Sequence, residues 1–232
     1  PAFEAEPMSS AGRLTASAFR FPLGVSWPLL VAAGAFLLVL VHSARMLIDG
    51  DVYWHLAAGR WIIEHLAIPA RDPFSHTLRD APWTAHEWLA EVVFAGAYAV
   101  GGWTGIVIVA AAAFAAALAL LNRFLLRHLE PIYALLFTAM SASLLALHLV
   151  ARPHTLIAPL LVTWGIGLVR AREGNVAPPW WLAWVMILWA NTHGSFALGL
   201  VLAAAFAVEA GLASAPGAAR RPGCSRSQRA AG

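Results

Sequence analysis

Long apolar runs bordered by arginine constrain this chain more than any other feature. A membrane-spanning α-helix needs about 20 consecutive apolar residues, and residues 27–47 supply such a run directly after Arg13 and Arg20. Further apolar runs cover 131–150, 155–169, 178–192 and 195–213. Only 12% of the residues are charged, against roughly 25% in soluble domains. The sequence therefore predicts an all-α, polytopic membrane protein and argues against a soluble enzyme.

Residues 87–122 form one apolar stretch that is interrupted by Gly101 and Gly102. The stretch has room for a re-entrant helix followed by one span, or for two spans. Two spans would place Arg123 opposite Arg20, whereas arginines gather on the cytoplasmic side of membrane proteins. We therefore expect one crossing here and about six transmembrane helices in all, with both termini in the cytoplasm.

The predicted organisation has three parts: a cytoplasmic N-terminal segment at 1–26, a transmembrane domain at 27–213, and a disordered basic tail at 214–232. The domain contains a long external loop at 48–86. Within this loop, residues 53–66 (YWHLAAGRWIIEHL) have the spacing of an amphipathic helix on the membrane surface. The net charge of +3 comes from arginines that orient the spans, so no nucleic-acid partner is expected.

An acidic pair follows the first span directly. Polar and ionisable residues are costly beside hydrocarbon and indicate a functional site by default. Asp49 and Asp51 flank a glycine, and two carboxylates on such a turn can hold Mg²⁺ or Mn²⁺, or act as acid and base. The alternative is simple solvation of a helix end at the membrane interface.

Two later turns carry further polar candidates on the same predicted side. Arg152 and His154 lie in the turn ARPHT, where the guanidinium group can bind a phosphate by paired hydrogen bonds. The alternative for Arg152 is a side chain that caps a helix and extends to the interface. Asn191 and His193 lie in NTHGSF and are candidates for binding substrate hydroxyls, or for closing a hydrogen-bonded turn.

A zinc site is a less favoured interpretation of the histidines. The candidate zinc ligands are His76, His86 and Glu87, with His55 or His154 as a third ligand. Their spacing matches no compact zinc motif. We therefore favour the carboxylate site.

The first loop contains three distinctive stretches after the acidic pair, namely YWHLAAGRWIIEH, IPARDPFSHT and PWTAHEWLAE. Together they resemble the first external loop of integral-membrane glycosyltransferases of the GT-C fold, including bacterial relatives of protein O-mannosyltransferases and of oligosaccharyltransferase catalytic subunits. The resemblance covers roughly residues 27–213. Members of that family generally have more than six spans, and many have a C-terminal soluble domain.

The resemblance implies transfer of a sugar from a polyprenyl-phosphate donor at the non-cytoplasmic face of a bacterial inner membrane. It implies that Asp51 is the base or a metal ligand, that Asp49 is its partner, and that Asp72 is a second acidic position. We expect the substrate-binding residues to be His55, His76, Glu87, Arg152, His154, Asn191 and His193.

Two other classes of protein fit the same sequence. A transporter or channel component would also carry polar groups in the membrane, although it would place them near mid-membrane on broken helices. A non-catalytic subunit of a membrane assembly is the other alternative. The polar residues of this chain gather at one predicted interface, which favours the enzyme.

Overall fold

The computed structural model describes residues 26–214, which form helices and connecting turns without a β-strand. The predicted all-α class is therefore confirmed for this part of the chain. Apart from Ser26 and Ser214, the predicted N-terminal segment 1–26 and basic tail 214–232 lie outside the described residues. The helices are α1 (Trp27–Val41), α2 (Ser43–Met46), α3 (Asp51–His65), α4 (Trp88–Leu125), α5 (Pro131–Ala146), α6 (Pro153–Glu173), α7 (Leu182–Thr192) and α8 (Phe196–Ser214).

Three of these helices, α4, α6 and α8, are long and apolar enough to cross a membrane. Helices α1, α5 and α7 are apolar but shorter, with 15, 16 and 11 residues. At 1.5 Å per residue, the 11 residues of α7 extend only about 17 Å, against a hydrocarbon core of about 30 Å. The helices support a membrane protein with three candidate spans, and the six crossings stay a prediction.

Proline sets the start of three helices. Pro28, Pro131 and Pro153 each lie in the first turn of α1, α5 and α6. This position suits proline because its missing N–H would have no partner inside the helix, and its fixed φ angle is already helical. The last of these starts places Arg152, one of the predicted site residues, at the N-cap position of α6.

Helix α4 is interrupted at Gly102, where φ is 59° and ψ is −145°. Glycine adopts this backbone conformation without steric cost. A side chain at Gly105 would collide with the carbonyl oxygen of Ala97, although these residues would lie about 12 Å apart along a straight helix. The two arms of α4 therefore touch beside the interruption. The sequence correctly located the interruption, and the single crossing by this segment stays a prediction.

The predicted amphipathic helix of the first loop is α3, and it packs against α4. Its buried face includes Val52, His55, Leu56 and Ile62. The loop that follows folds back on α3, because the rings of Phe74 and Trp83 lie 5.0 and 5.4 Å from the ring of Trp54. This packing presents one edge of α3 to the start of α4.

Candidate functional site

Most of the predicted site residues meet at one end of the helix bundle. This end contains the N-termini of α3, α4 and α6, together with the turn between α7 and α8. The 21 residues of α6 extend for about 30 Å, so arginines at the far ends of α4 and α6 are remote from it. We call this group of side chains the polar end.

An arginine and two aspartates form the first half of the polar end. The Nε atom of Arg152 lies 2.5 Å from Oδ2 of Asp49, and its Nη2 atom donates to Oδ2 of Asp51 at 2.6 Å. The Asp49 carboxylate also accepts a hydrogen bond from the backbone N–H of Asp51 at 3.0 Å. Its interactions with Arg152 and with this amide hold the pKa of Asp49 below its ordinary value. Both carboxylates are therefore paired with one cation.

The two segments that carry this ion pair are joined by a backbone hydrogen bond. The N–H of Ala151 donates to the carbonyl of Met46 at 2.8 Å, and both residues are buried. Arg152 follows the first of these residues directly, and Asp49 comes three positions after the second. The bond therefore holds the two backbone segments close enough for the side chains of Arg152 and Asp49 to form their ion pair.

Glu87 is the centre of the second half of the polar end. Its carboxylate oxygens lie 3.9 Å from Nδ1 of His55, 3.7 Å from Nε2 of His86 and 3.5 Å from Nε2 of His193. The Glu87 side chain is only 17% exposed. Three imidazoles from three separate segments thus surround one largely buried carboxylate.

A second carboxylate, Glu91, lies one helical turn after Glu87 and faces His55 from inside the bundle. Its Oε1 atom is 3.6 Å from Nδ1 of His55, and both side chains are buried. The Oε2 atom of Glu91 and the Nδ1 atom of His55 have no hydrogen-bond partner among the described residues. The N-terminus of α4 favours negative charge because its free N–H groups give it a partial positive charge. This placement offsets part of the cost of burying two carboxylates.

His193 connects the second half to the α7–α8 turn. Its Nδ1 atom accepts a hydrogen bond from the backbone N–H of Ser195 at 3.0 Å, and the Ser195 hydroxyl lies 2.8 Å away. Burial lowers the pKa of His193, so the neutral ring is favoured. With Nδ1 as acceptor, the remaining N–H is on Nε2 and faces Glu87.

The two halves are close neighbours. The ring of His154 lies 6.3 Å from the ring of His193, and His154 comes two residues after Arg152. Its Nε2 atom is held 2.9 Å from the carbonyl of His148. Coulombic attraction from Glu87 adds to the effect of Asp49 in raising the pKa of Arg152. The charged groups of the two halves of the polar end therefore interact with each other.

Two predicted site residues, Asp72 and His76, have other surroundings. Asp72 accepts hydrogen bonds from the backbone N–H groups of Phe74 and Ser75 at 2.8 and 3.0 Å and from the Ser75 hydroxyl, so its carboxylate closes a local turn. These hydrogen bonds also lower its pKa. His76 is exposed and has no hydrogen bond or ion pair with another described residue. Among residues 26–214, neither side chain forms a hydrogen bond or an ion pair with a residue of the polar end.

Asn191 lies beside the polar end, and protein partners already engage its amide. Its Oδ1 atom accepts from the indole N–H of Trp88 at 2.7 Å, and its Nδ2 atom donates to the carbonyl of Ile187 at 2.8 Å. These contacts tie the start of α4 to the end of α7. They favour the turn-closing interpretation of Asn191 over direct binding of a substrate hydroxyl.

The sequence reasoning missed Glu91, Trp88 and Ser195, and it considered His86 only as a zinc ligand. A usable signal existed for Glu91. It is the single acidic residue between 88 and 122, and its position four residues after Glu87 puts both carboxylates on one helix face. Trp88 and Ser195 gave no comparable signal, because their roles depend on how α4, α7 and α8 pack.

The fit of a divalent cation to the acidic pair depends on Arg152. Its guanidinium group lies between the Asp49 and Asp51 carboxylates, in the position where a shared cation would sit. Within residues 26–214, no three His, Cys, Asp or Glu side chains are arranged to hold a metal ion. Binding of Mg²⁺ or Mn²⁺ by the acidic pair therefore stays a prediction, and it would require Arg152 to move away from the two carboxylates.

Comparison with known proteins gives no further guide to function. No protein-family model, curated protein or solved structure matches the chain. The glycosyltransferase resemblance thus rests on the loop motifs alone.

Proposed function

We propose that this protein is a membrane glycosyltransferase, which moves a sugar from a polyprenyl-phosphate donor to an acceptor at the non-cytoplasmic face of a bacterial inner membrane. The observation that supports the proposal best is the meeting of Asp49, Asp51 and Arg152 beside the Glu87 cluster at one end of the bundle. The proposal includes six membrane crossings, with the polar end outside.

The location of the polar end suits a lipid-linked donor. Such a donor has its phosphate at the interface and its chain in the hydrocarbon. Arg152 occupies the N-cap position of α6, and Glu87 occupies that of α4. Both helices are candidate spans. Both groups therefore lie at helix ends, where a lipid phosphate can reach them without crossing the membrane.

The proposed reaction is a single displacement at the anomeric carbon. The acceptor hydroxyl oxygen forms a bond to that carbon, and the carbon–oxygen bond to phosphate breaks. The electron pair of the broken bond leaves with the polyprenyl phosphate, while the hydroxyl proton passes to a carboxylate of the protein. One displacement inverts the configuration of the sugar.

The difference in side-chain exposure supports different roles for the two aspartates in this proposal. The Asp51 side chain is 59% exposed, whereas that of Asp49 is 22% exposed. We therefore assign proton acceptance to Asp51, and to Asp49 the task of holding Arg152. The Nη1 atom of Arg152 has no partner among residues 26–214, so it is free to donate to the leaving phosphate and stabilise its charge.

Within the same proposal, the neighbouring histidines bind the acceptor or the sugar. His55, His154 and His193 lie around Glu87 or next to Arg152, whereas His76 and Asp72 are held elsewhere. Participation of Mg²⁺ or Mn²⁺ would require Arg152 to leave the carboxylates. An activity assay with and without a chelator tests that part separately.

The decisive experiment measures sugar transfer in proteoliposomes that contain the purified full chain and radiolabelled polyprenyl-phosphate hexoses or pentoses. We expect Asp51→Asn to lower the rate at least a hundredfold, since general base catalysis contributes about 10²–10⁴-fold. Arg152→Gln should lower the rate and also weaken binding of the product polyprenyl phosphate.

Asp80→Asn is the matched control, because Asp80 is an exposed aspartate of the same loop. It should retain full transfer. Full activity of Asp51→Asn would refute the proposal. If the wild-type protein transfers no sugar but moves a solute across the vesicle membrane, the transporter is favoured instead. If it is inactive in both assays, the assembly subunit is favoured.

A further inference from the structure

A cavity lies at the opposite end of the bundle from the polar end. Its volume is about 520 Å³, within the range of about 300–1,000 Å³ that is typical of ligand pockets. It opens between the C-terminal parts of α4 and α6 and the segment that leads into α7. Its lining includes three arginines, Arg123, Arg127 and Arg170.

These three arginines are not neutralised by the described part of the protein. None of them has an ion pair with a described acidic residue, and no acidic residue lines the cavity. The nearby cations differ in this respect: Arg172 pairs with Glu209 at 2.7 Å, and His128 lies 3.8 Å from Glu173. Three like charges around one cavity repel each other, so an anion bound there would be stabilised.

The rest of the cavity is apolar. Phe124, Ile166, Pro179 and Trp181 contribute to its wall, together with Leu120. A small hydrated anion would gain nothing from this wall, whereas a ligand with a phosphate and a hydrocarbon part would use both surfaces. The cavity lies at the arginine-bearing ends of two candidate spans, which is the depth of lipid headgroups.

Orientation of the spans accounts for arginine at this end, and a cation near a helix C-terminus is favourable in itself. Neither effect requires the side chains to converge on one cavity with an apolar wall. Arg172 has the same C-terminal position on α6 and yet points to a carboxylate on α8. The convergence of three arginine side chains on one cavity is therefore the observation that indicates a bound anion.

We propose that this cavity binds the phosphate headgroup of an anionic membrane lipid, with part of an acyl chain against the apolar wall. Basic pockets between transmembrane helices bind such headgroups in other membrane proteins. This site is independent of the proposed sugar transfer, since it lies at the other end of the bundle and shares no residue with the polar end.

Native mass spectrometry of the purified full chain in detergent tests the proposal. The probes are phosphatidylglycerol, phosphatidylcholine with the same acyl chains, and inorganic phosphate as a competitor. We expect preferential binding of phosphatidylglycerol. Each basic residue contributes about fivefold to affinity for an anionic lipid, so Arg123→Gln, Arg127→Gln and Arg170→Gln should each weaken binding about fivefold, and the triple variant about a hundredfold.

Arg172→Gln is the matched control, because it removes an arginine from the same helix end without touching the cavity lining. Its lipid affinity should equal that of the wild type. Equal binding of phosphatidylcholine, or undiminished binding by the single variants, would overturn the proposal. Displacement of the lipid by millimolar inorganic phosphate would show that the ligand is a free anion, and would overturn the lipid assignment.

Discussion

The contact between α3 and α4 leaves no room for a side chain at Gly59. A methyl group there would lie 1.9 Å from the backbone carbonyl oxygen of Glu91 and 2.9 Å from the Cβ of Ala95. Carbon atoms pack at about 3.5–4.0 Å, and the closest favourable carbon–oxygen contacts are about 3.3 Å long. Gly59→Ala must therefore push the two helices apart by about 1.4 Å at the Glu91 carbonyl, which is more than the Ala95 contact requires; this point is one turn from His55.

The expected cost follows from that separation. A gap of about 0.5–1 Å forfeits a quarter to a half of the dispersion energy of the contacts that it opens. The contacts at risk are those of the buried α3 face, such as Val52, Leu56 and Ile62. Overpacking typically costs about 1–3 kcal/mol and occasionally more. Because the main collision is with backbone atoms of Glu91, we expect Gly59→Ala to lower the free energy of unfolding by about 3 kcal/mol or more.

Gly96→Ala provides the matched control. Gly96 lies in the first arm of α4, and a methyl group there would meet nothing within 4 Å. Both substitutions gain the same helix propensity, so their difference isolates the collision. Unfolding by sodium dodecyl sulfate in mixed micelles, followed by tryptophan fluorescence, measures that difference. Equal stability of the two variants would contradict the close packing of α3 on α4.

Three further predictions concern single interactions. Thr138→Val removes the hydroxyl that accepts the 3.1 Å hydrogen bond from the buried Asn122 amide, and should lower the unfolding free energy by about 1–3 kcal/mol; adding Asn122→Leu should recover part of that loss. Trp88→Phe removes a 2.7 Å hydrogen bond to α7 and should cost about 1 kcal/mol in the same unfolding assay. The ion pair keeps the folded-state pKa of Asp49 below its ordinary 3.8, so its stabilising effect is present above that pH and is lost as the pH falls through the lowered pKa. An acid titration of stability should therefore be steeper for the wild type than for Asp49→Asn, and identical curves would contradict the pairing.

The sequence predicted the helical class and the location of the elements, because both depend on local signals. Apolar length and arginine mark the helices from α4 onward, and Gly101 and Gly102 mark the interruption in α4. The number of membrane crossings could not be predicted from local signals of this kind. It depends on how short helices such as α7 tilt and pack within a bilayer, and no local pattern encodes that.

The sequence also predicted which turns carry the polar end, since polar residues at span ends are rare and costly. It could not separate Asp72 from the other acidic positions by residue type alone. The sequence Asp72-Pro73-Phe74-Ser75 has the composition of a side-chain-closed turn, and the structure uses the carboxylate in that way. Glu91 was not predicted because its neighbour in the structure, His55, is 36 positions away in the sequence. Only the packing of α3 on α4 brings the two side chains together.

The backbone bond from Ala151 to Met46 has a practical consequence for experiments on this protein. This bond uses backbone atoms only, so we expect it to hold the two chain segments together when Asp49, Asp51 or Arg152 is replaced by a neutral residue. A loss of the proposed sugar transfer in those variants could then be attributed to the missing charged groups. A variant that breaks the backbone bond would instead displace the same groups, so comparison of the two kinds of variant would separate the effect of charge from the effect of position.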